Sequence, residues 1–137
     1  MSLTNQQVID KALGELEIVE AGDSADATDS ADAMTVLNQM MAAWGVSDMD
    51  FNFFPQDTLS DTCPIPEWSE EGVISNLAVK LSVPFNAVVS QMLFEKAREG
   101  RNLIGRTFIN LNLEGSDMTH LGATRNRYNL TTDTFWI

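Results

Sequence analysis

The chain has one cysteine, one histidine and one tyrosine among 137 residues, and its eight Lys and Arg face twenty Asp and Glu. Because Cys63 is the single cysteine, an internal disulfide framework is excluded, and folding in a reducing cytoplasm is favoured. No apolar run approaches the roughly 20 residues that a membrane span needs. Residues 1–11 lack a basic region followed by an apolar stretch, so we expect no signal peptide. The length suits one domain.

Negative charge is concentrated in the first half of the chain. Residues 1–75 hold fifteen acids and one base, Lys11, for a net charge of -14, whereas residues 76–137 hold seven bases and five acids, for a net charge of +2. The acidic half would repel a phosphate backbone, which argues against DNA binding by counterion release. Two interpretations remain open: a solvated acidic face that keeps the chain soluble, or acidic and basic regions that meet across copies or partners.

Apolar periodicity predicts four helices. Thr4 is a candidate N-cap, with Gln7 at the capping-box position, for a helix over 5–18. A second helix should run over 27–44 and stop at Gly45. A third should begin with Pro66 at its first position and close before Pro84, and a fourth should run from about 86 to 105. The predicted core positions are Leu13, Leu16, Met34, Leu37, Met41, Trp44, Ile74, Leu77, Leu81, Met92 and Leu93.

The pattern changes after residue 105. Ile109, Leu111 and Leu113 alternate with polar residues, which is typical of a strand, and the chain ends in Phe-Trp-Ile. We therefore predict an all-α, small four-helix bundle-like body over 1–105 and an extended, mostly non-helical arm over 106–137. The last three residues either fold back on the body or dock on a partner. The candidate docking residues are Arg125, Arg127, Tyr128, Phe135, Trp136 and Ile137.

Residues that could support catalysis are few. His120 lies in a Gly- and Thr-rich tail, and Cys63 has no basic neighbour in the sequence to lower its pKa. Glu67, Glu70 and Glu71 could form a carboxylate pair, although acids are common at helix starts. No phosphate-binding loop, HExxH, GxSxG or EF-hand pattern is found. We expect no enzyme activity, no cofactor and no metal site.

Residues 36–45 carry a motif-like pattern, Leu37-Asn38-Gln39-Met40 followed by Trp44. A short helix and an acidic linker precede it; an aromatic extended segment, a Pro-Glu-Trp helix start, two amphipathic helices and a long tail follow. Over residues 6–105 this order resembles the head-to-tail adaptor proteins of tailed bacteriophages. It is most similar to the tail accessory factor (packaged-DNA stabilisation) family of short-tailed phages, and the connectors of long-tailed phages share the early pattern.

The resemblance implies a structural role in the virion, at the head–tail junction, after synthesis in the host cytoplasm. Such proteins form a ring, usually of twelve copies, beneath the portal protein. The ring extends the DNA channel, retains packaged double-stranded DNA without gripping it, and offers a platform for the nozzle or hub proteins of the tail. The resemblance also implies that the helical body builds the ring and that the arm over 106–137 docks on the portal. No membrane is involved.

Two other functions stay open from the sequence. A small acidic helical module, for example one that mimics DNA, would bind a basic partner with strong salt dependence. A cell-wall glycan hydrolase would use Glu67, Glu70 or Glu71.

Overall fold

The computed structural model describes residues 2–20, 22–47 and 49–114, with side chains described as far as residue 109. The four helices are α1 (Asn5–Glu15), α2 (Ala27–Val46), α3 (Glu70–Leu81) and α4 (Gln91–Glu114), and a 3-10 turn over Glu67–Ser69 leads into α3. Within these ranges no strand is formed, and Thr4 and Thr62 make an isolated bridge. The predicted all-α class with a four-helix body is confirmed.

The starts of the first two helices follow from their caps. The Thr4 hydroxyl accepts a hydrogen bond from the Gln7 amide, and the Gln7 side chain accepts one from the Thr4 amide, which completes the predicted capping box. Asp26 caps α2 by accepting from the amide of Asp29 at 2.8 Å. The predicted stop at Gly45 is wrong: α2 continues to Val46, and Ser47 follows as its C-cap residue.

The core lies where α1 packs on α2 and α3, and α3 packs on α2. Ten of the eleven predicted core positions are buried, with relative exposures of 8% or less. The prediction for Met92 is wrong, because its side chain is 79% exposed. The buried predicted residues are Leu13, Leu16, Met34, Leu37, Met41, Trp44, Ile74, Leu77, Leu81 and Leu93.

The start of α4 explains the error at Met92. Ser90 caps the helix by accepting from the Leu93 amide at 3.1 Å, so α4 begins at Gln91 rather than near residue 86. Val88 therefore precedes the helix and is 90% exposed. The buried stripe starts at Leu93 and continues through Ala97 and Ile104. Met92 lies about 100° around the helix from Leu93 and points away from that stripe.

Helices α3 and α4 cross at a pair of glycines. A Cβ placed on Gly100 would lie 2.6 Å from the Cα of Gly72, closer than any side chain allows. The Nδ2 of Asn76 donates to the Ala97 carbonyl oxygen at 2.8 Å beside this crossing. The two backbones are therefore in direct contact, and the sequence positions of these contacts show that the helices run antiparallel.

The end of α4 corrects the strand prediction. The helix continues without interruption to Glu114, so Ile109, Leu111 and Leu113 belong to a helix and not to a strand. The chain divides into two units, Met1–Arg106 and Thr107–Ile137. Residues 115–137, which hold most of the predicted arm, lie outside the described residues, so the extended conformation of that part stays a prediction.

Candidate functional site

The predicted docking residues lie outside the part of the chain that the structure describes, as does His120. They are Arg125, Arg127, Tyr128, Phe135, Trp136 and Ile137. Their role in docking therefore stays a prediction. The described body offers four features for consideration: the sequence pattern over residues 37–44, which we call the signature, an acidic groove, a buried thiol and a group of exposed apolar side chains.

The signature residues of α2 form one structural unit. Leu37, Met40 and Trp44 are 4% exposed or less and contribute to the core. Asn38 faces the connection between α2 and α3, where its Nδ2 donates to the Gln56 carbonyl oxygen at 2.8 Å. The Gln56 amide donates back to Asn38 Oδ1 at 2.9 Å. Asn38 thus pairs with both main-chain groups of Gln56, as a neighbouring strand would.

A second asparagine extends this contact to α1. The Nδ2 of Asn5, which is fully buried, donates to Gln56 Oε1 and to the Thr58 carbonyl oxygen, both at 2.9 Å. The Gln56 side chain also donates to the Phe54 carbonyl oxygen at 2.8 Å. Asn5, Asn38 and Gln56 form a polar clasp that fixes the connection onto α1 and α2. Sequence reasoning missed this clasp, because no local pattern links residues that lie 51 positions apart.

Trp44 also connects α2 to α4. The guanidinium carbon of Arg101 lies 5.9 Å from the centre of the Trp44 ring, within the range of a cation–π contact. Arg101 follows Gly100 in the chain and contacts Trp44, so the last turns of α2 lie near the glycine crossing. This crossing is at the N-terminal end of α3, which contains Gly72.

A groove of about 690 Å³ opens between α1, the chain that follows it, and the start of α3. Lys11 and Lys96 are its basic residues. Its acidic lining residues outnumber them three to one, so the groove carries negative charge. These acids are Asp10, Glu15, Glu20, Asp23, Glu70 and Glu71.

Lys96 joins three helices at one wall of the acidic groove. Its Nζ lies 2.7 Å from Glu15 Oε2 on α1 and 3.7 Å from Glu71 Oε2 on α3. The hydrogen bond to Glu15 raises the pKa of Lys96 above its usual value, although burial opposes the shift. Glu71 is therefore paired with a cation at the surface, where such a pair contributes little to stability.

Cys63 is buried beside Glu70 in the connection that leads to α3. Burial, together with the charge of Glu70, raises the pKa of its thiol from 9.0 to about 12. A thiol of this kind is protonated at neutral pH, and the thiolate is the nucleophilic form. Within the described residues, no group of three or more His, Cys, Asp or Glu is placed to hold a metal ion.

Large apolar side chains are exposed where α3 turns into α4. Val83 is 82% exposed, Val88 90%, Met92 79% and Phe94 52%. We call these four residues the apolar tip. Residues 81–94 contain no charged side chain, in a protein whose net charge is -12. The four residues are close in sequence, between the end of α3 and the first turn of α4, and exposed apolar side chains are candidates for contact with a partner.

Comparison with known proteins gives no family assignment: no protein-family model matches the chain, and no curated protein matches it. Among the described residues, no helix is both long and apolar enough to cross a membrane.

Proposed function

We propose that this protein is a head-to-tail adaptor of a tailed bacteriophage. In this role, copies of the chain form a ring below the portal protein and extend the channel through which the packaged DNA passes. The ring retains the genome and offers a platform for tail proteins. The protein acts as a structural component of the virion and catalyses no reaction.

The observation that carries the proposal is the signature on α2. Leu37, Met40 and Trp44 are buried in the core, while Asn38 binds both main-chain groups of Gln56. Four of the five residues of the pattern thus have a structural task, whereas Gln39 is exposed, and this supports using the pattern as a marker of a shared fold. The four-helix body and its long C-terminal region are also compatible with the fold that the resemblance implies.

The charge distribution also supports the proposal. Fifteen of the twenty acids lie in residues 1–75, so a channel lined by this part of the chain would repel DNA and let it slide. The apolar tip is also compatible with the proposal, because exposed apolar side chains can contribute to a contact with a partner protein.

Binding to the portal protein of the same phage tests the proposal. Because α4 continues to Glu114, truncation of the chain after that residue removes residues 115–137 of the proposed arm, with all the candidate docking residues, without cutting the helix. We expect the full chain to co-sediment with portal rings. The truncated chain should lose this binding and keep its helical circular dichroism.

Two results would contradict the proposal. One is a full chain that does not bind portal rings; the other is a truncated chain that binds them as well as the full chain does. The second result would remove the docking role from residues 115–137.

A further inference from the structure

The acids of the acidic groove are spread along its walls rather than gathered at one point. The groove has a volume of about 690 Å³, which lies within the range of small-ligand pockets. Within the described residues, no group of three or more His, Cys, Asp or Glu is placed to hold a metal ion. Metal-bound oxygens lie within about 2–2.6 Å of one ion. A ligand that complements this groove therefore carries its positive charges apart from each other.

The negative charge of the groove is only partly compensated by its two lysines. Lys96 is occupied at one wall, where its Nζ contacts Glu15 and Glu71. The other lining base is Lys11 on α1, and it stands against the four remaining acids, which gives this part of the groove a net charge of -3. These four acids are Asp10, Glu20, Asp23 and Glu70. A field of this sign and size attracts a ligand with more than one positive charge.

Two of these acids lie on a turn that is tied to α1. The Asp23 amide donates to the Glu20 carbonyl oxygen at 3.0 Å, and Gly22 between them has a φ of 90°, which favours glycine. The amide of Ala25, just after the turn, donates to Asp10 Oδ1 at 3.0 Å. The turn therefore stays beside α1, and both of its carboxylates line the groove.

Glu70 adds an independent observation on the opposite wall. Its Oε2 is buried and has no hydrogen-bond donor among the described residues, although buried polar atoms nearly always have a partner. The terminal torsion of a glutamate side chain is soft, so a small rotation turns this oxygen toward a donor in the groove. Because a carboxylate accepts and does not donate, the group that it can bind there is an N–H or O–H donor, and an ammonium or guanidinium group binds it most strongly.

We propose that the acidic groove binds a ligand with two or more ammonium or guanidinium groups on an aliphatic stem. The stem would contact the apolar part of the lining, which consists of Leu3, Val19 and Ile74, and the cationic groups would reach the acids on the walls. A free linear polyamine has this chemistry, and so does a pair of basic side chains on a segment of a partner protein. The inference goes beyond the proposed function and does not depend on it.

Isothermal titration calorimetry of the full chain with spermidine at low ionic strength tests the binding. We expect one spermidine for each chain, and weaker binding of Mg²⁺ than of spermidine in a matched titration. Glu20→Gln and Asp23→Asn each remove one charge from the groove and should weaken spermidine binding by about threefold. Lys11→Gln removes a competing positive charge and should tighten it by about the same factor.

Asp32→Asn is the matched control for these variants. It makes the same change in net charge at an exposed position of α2 that does not line the groove, so it should leave spermidine binding unchanged. Circular dichroism should be the same for all four variants, because the altered charges are at the surface.

A second titration distinguishes the two sources of the ligand. The probe is a blocked tripeptide with arginine at both ends. Tighter binding of the tripeptide than of spermidine would support the inference with basic side chains of a partner as the source, and the reverse order would support it with a free polyamine as the source.

Three results would overturn the inference. The first is that neither probe binds at one site for each chain. The second is that Asp32→Asn weakens binding as much as Glu20→Gln does, since binding would then follow the net charge of the chain and not the groove. The third is that Mg²⁺ binds as tightly as spermidine. No portal protein takes part in these titrations, so failure here is distinguishable from failure of the proposed function.

Discussion

At the scale of single residues, the described body is stabilised by its apolar core and by the polar clasp of Asn5, Asn38 and Gln56. Asn38 and Asn5 bind the same residue, Gln56, which is only 5% exposed. Buried main-chain groups need partners, and in this connection asparagine side chains supply them in place of a strand. The clasp is therefore expected to matter for stability more than most polar contacts do.

Replacing Asn38 with alanine tests how much the clasp contributes to stability. The change leaves the amide and the carbonyl oxygen of Gln56 without their partner, which should lower the free energy of unfolding by about 1–3 kcal/mol. Urea unfolding followed by circular dichroism measures the loss. Gln39→Ala is the matched control, because Gln39 is the exposed neighbour on the same helix and should change stability by less than about 0.5 kcal/mol. Equal losses in the two variants would contradict the role of the clasp.

Cys63 makes the stability of the protein fall at alkaline pH. The thiol has a pKa of about 12 in the folded chain and 9.0 when exposed, so above pH 9.0 the unfolded chain releases a proton that the folded chain keeps. Release from the unfolded chain favours unfolding, and by about pH 10 the loss from this group is about 1 kcal/mol. Cys63→Ala should remove this part of the pH dependence.

Thermal melts of both proteins at about pH 8 and about pH 10 measure the difference. Labelling with a thiol reagent gives a second readout, since the native thiol should react far more slowly than the thiol of the urea-unfolded chain. Rapid labelling of the native protein would show that Cys63 is accessible and would contradict its burial.

Among the elements, the starts of α1 and α2 could be predicted closely from sequence because helix caps are local signals, whereas the predicted end of α1 at residue 18 is wrong, since the helix ends at Glu15. Thr4 with Gln7 marks the start of α1, and Asp26 marks the start of α2. The end of α2 was harder to predict, since Gly45 is as compatible with the last turn of a helix as with its stop. The start of α4 is set by Ser90, whose side chain caps the helix. The valines before Ser90 fit the apolar pattern of a helix, so the sequence predicted a start near residue 86.

The last part of α4 shows why a short alternation is an ambiguous signal. Ile109, Leu111 and Leu113 fit a strand over six residues, but no proline interrupts the chain between the body and Glu114, and the helix continues. The glycine crossing was also beyond prediction from one sequence. Gly72 and Gly100 are identified as a pair only when the two helices are placed together.

The crossing gives a test at the scale of the helix pair. In Gly100→Ala the new Cβ would lie 2.6 Å from the Gly72 backbone, so α3 and α4 must move apart, at a cost of about 2 kcal/mol or more. Gly105→Ala is the control on the same helix, because its nearest contact is Met49 Sδ at 3.9 Å. That change should stabilise the protein by up to about 1 kcal/mol through helix propensity. Chemical unfolding measures the free energy of unfolding of both variants. If Gly100→Ala left this free energy unchanged, the result would contradict the close crossing of α3 and α4.

On the scale of the whole molecule, charge and exposed apolar surface suggest the same kind of role. The acidic first half disfavours contact with nucleic acid, while the exposed side chains of the apolar tip are compatible with contact with protein. The alternatives from the sequence stay predictions. The pairing of Glu71 with Lys96 gives that acid a surface contact, and neither a glycan hydrolase nor a DNA mimic has a described feature of its own to support it.

The mass of the complex with the portal protein tests the adaptor function most directly. Native mass spectrometry of purified portal rings, mixed with an excess of this protein, counts the copies that bind. The adaptor function predicts one bound copy for each portal subunit, twelve on a twelve-subunit portal, and no partly filled rings at saturation. A portal ring whose mass is unchanged by the mixture would contradict the proposed function.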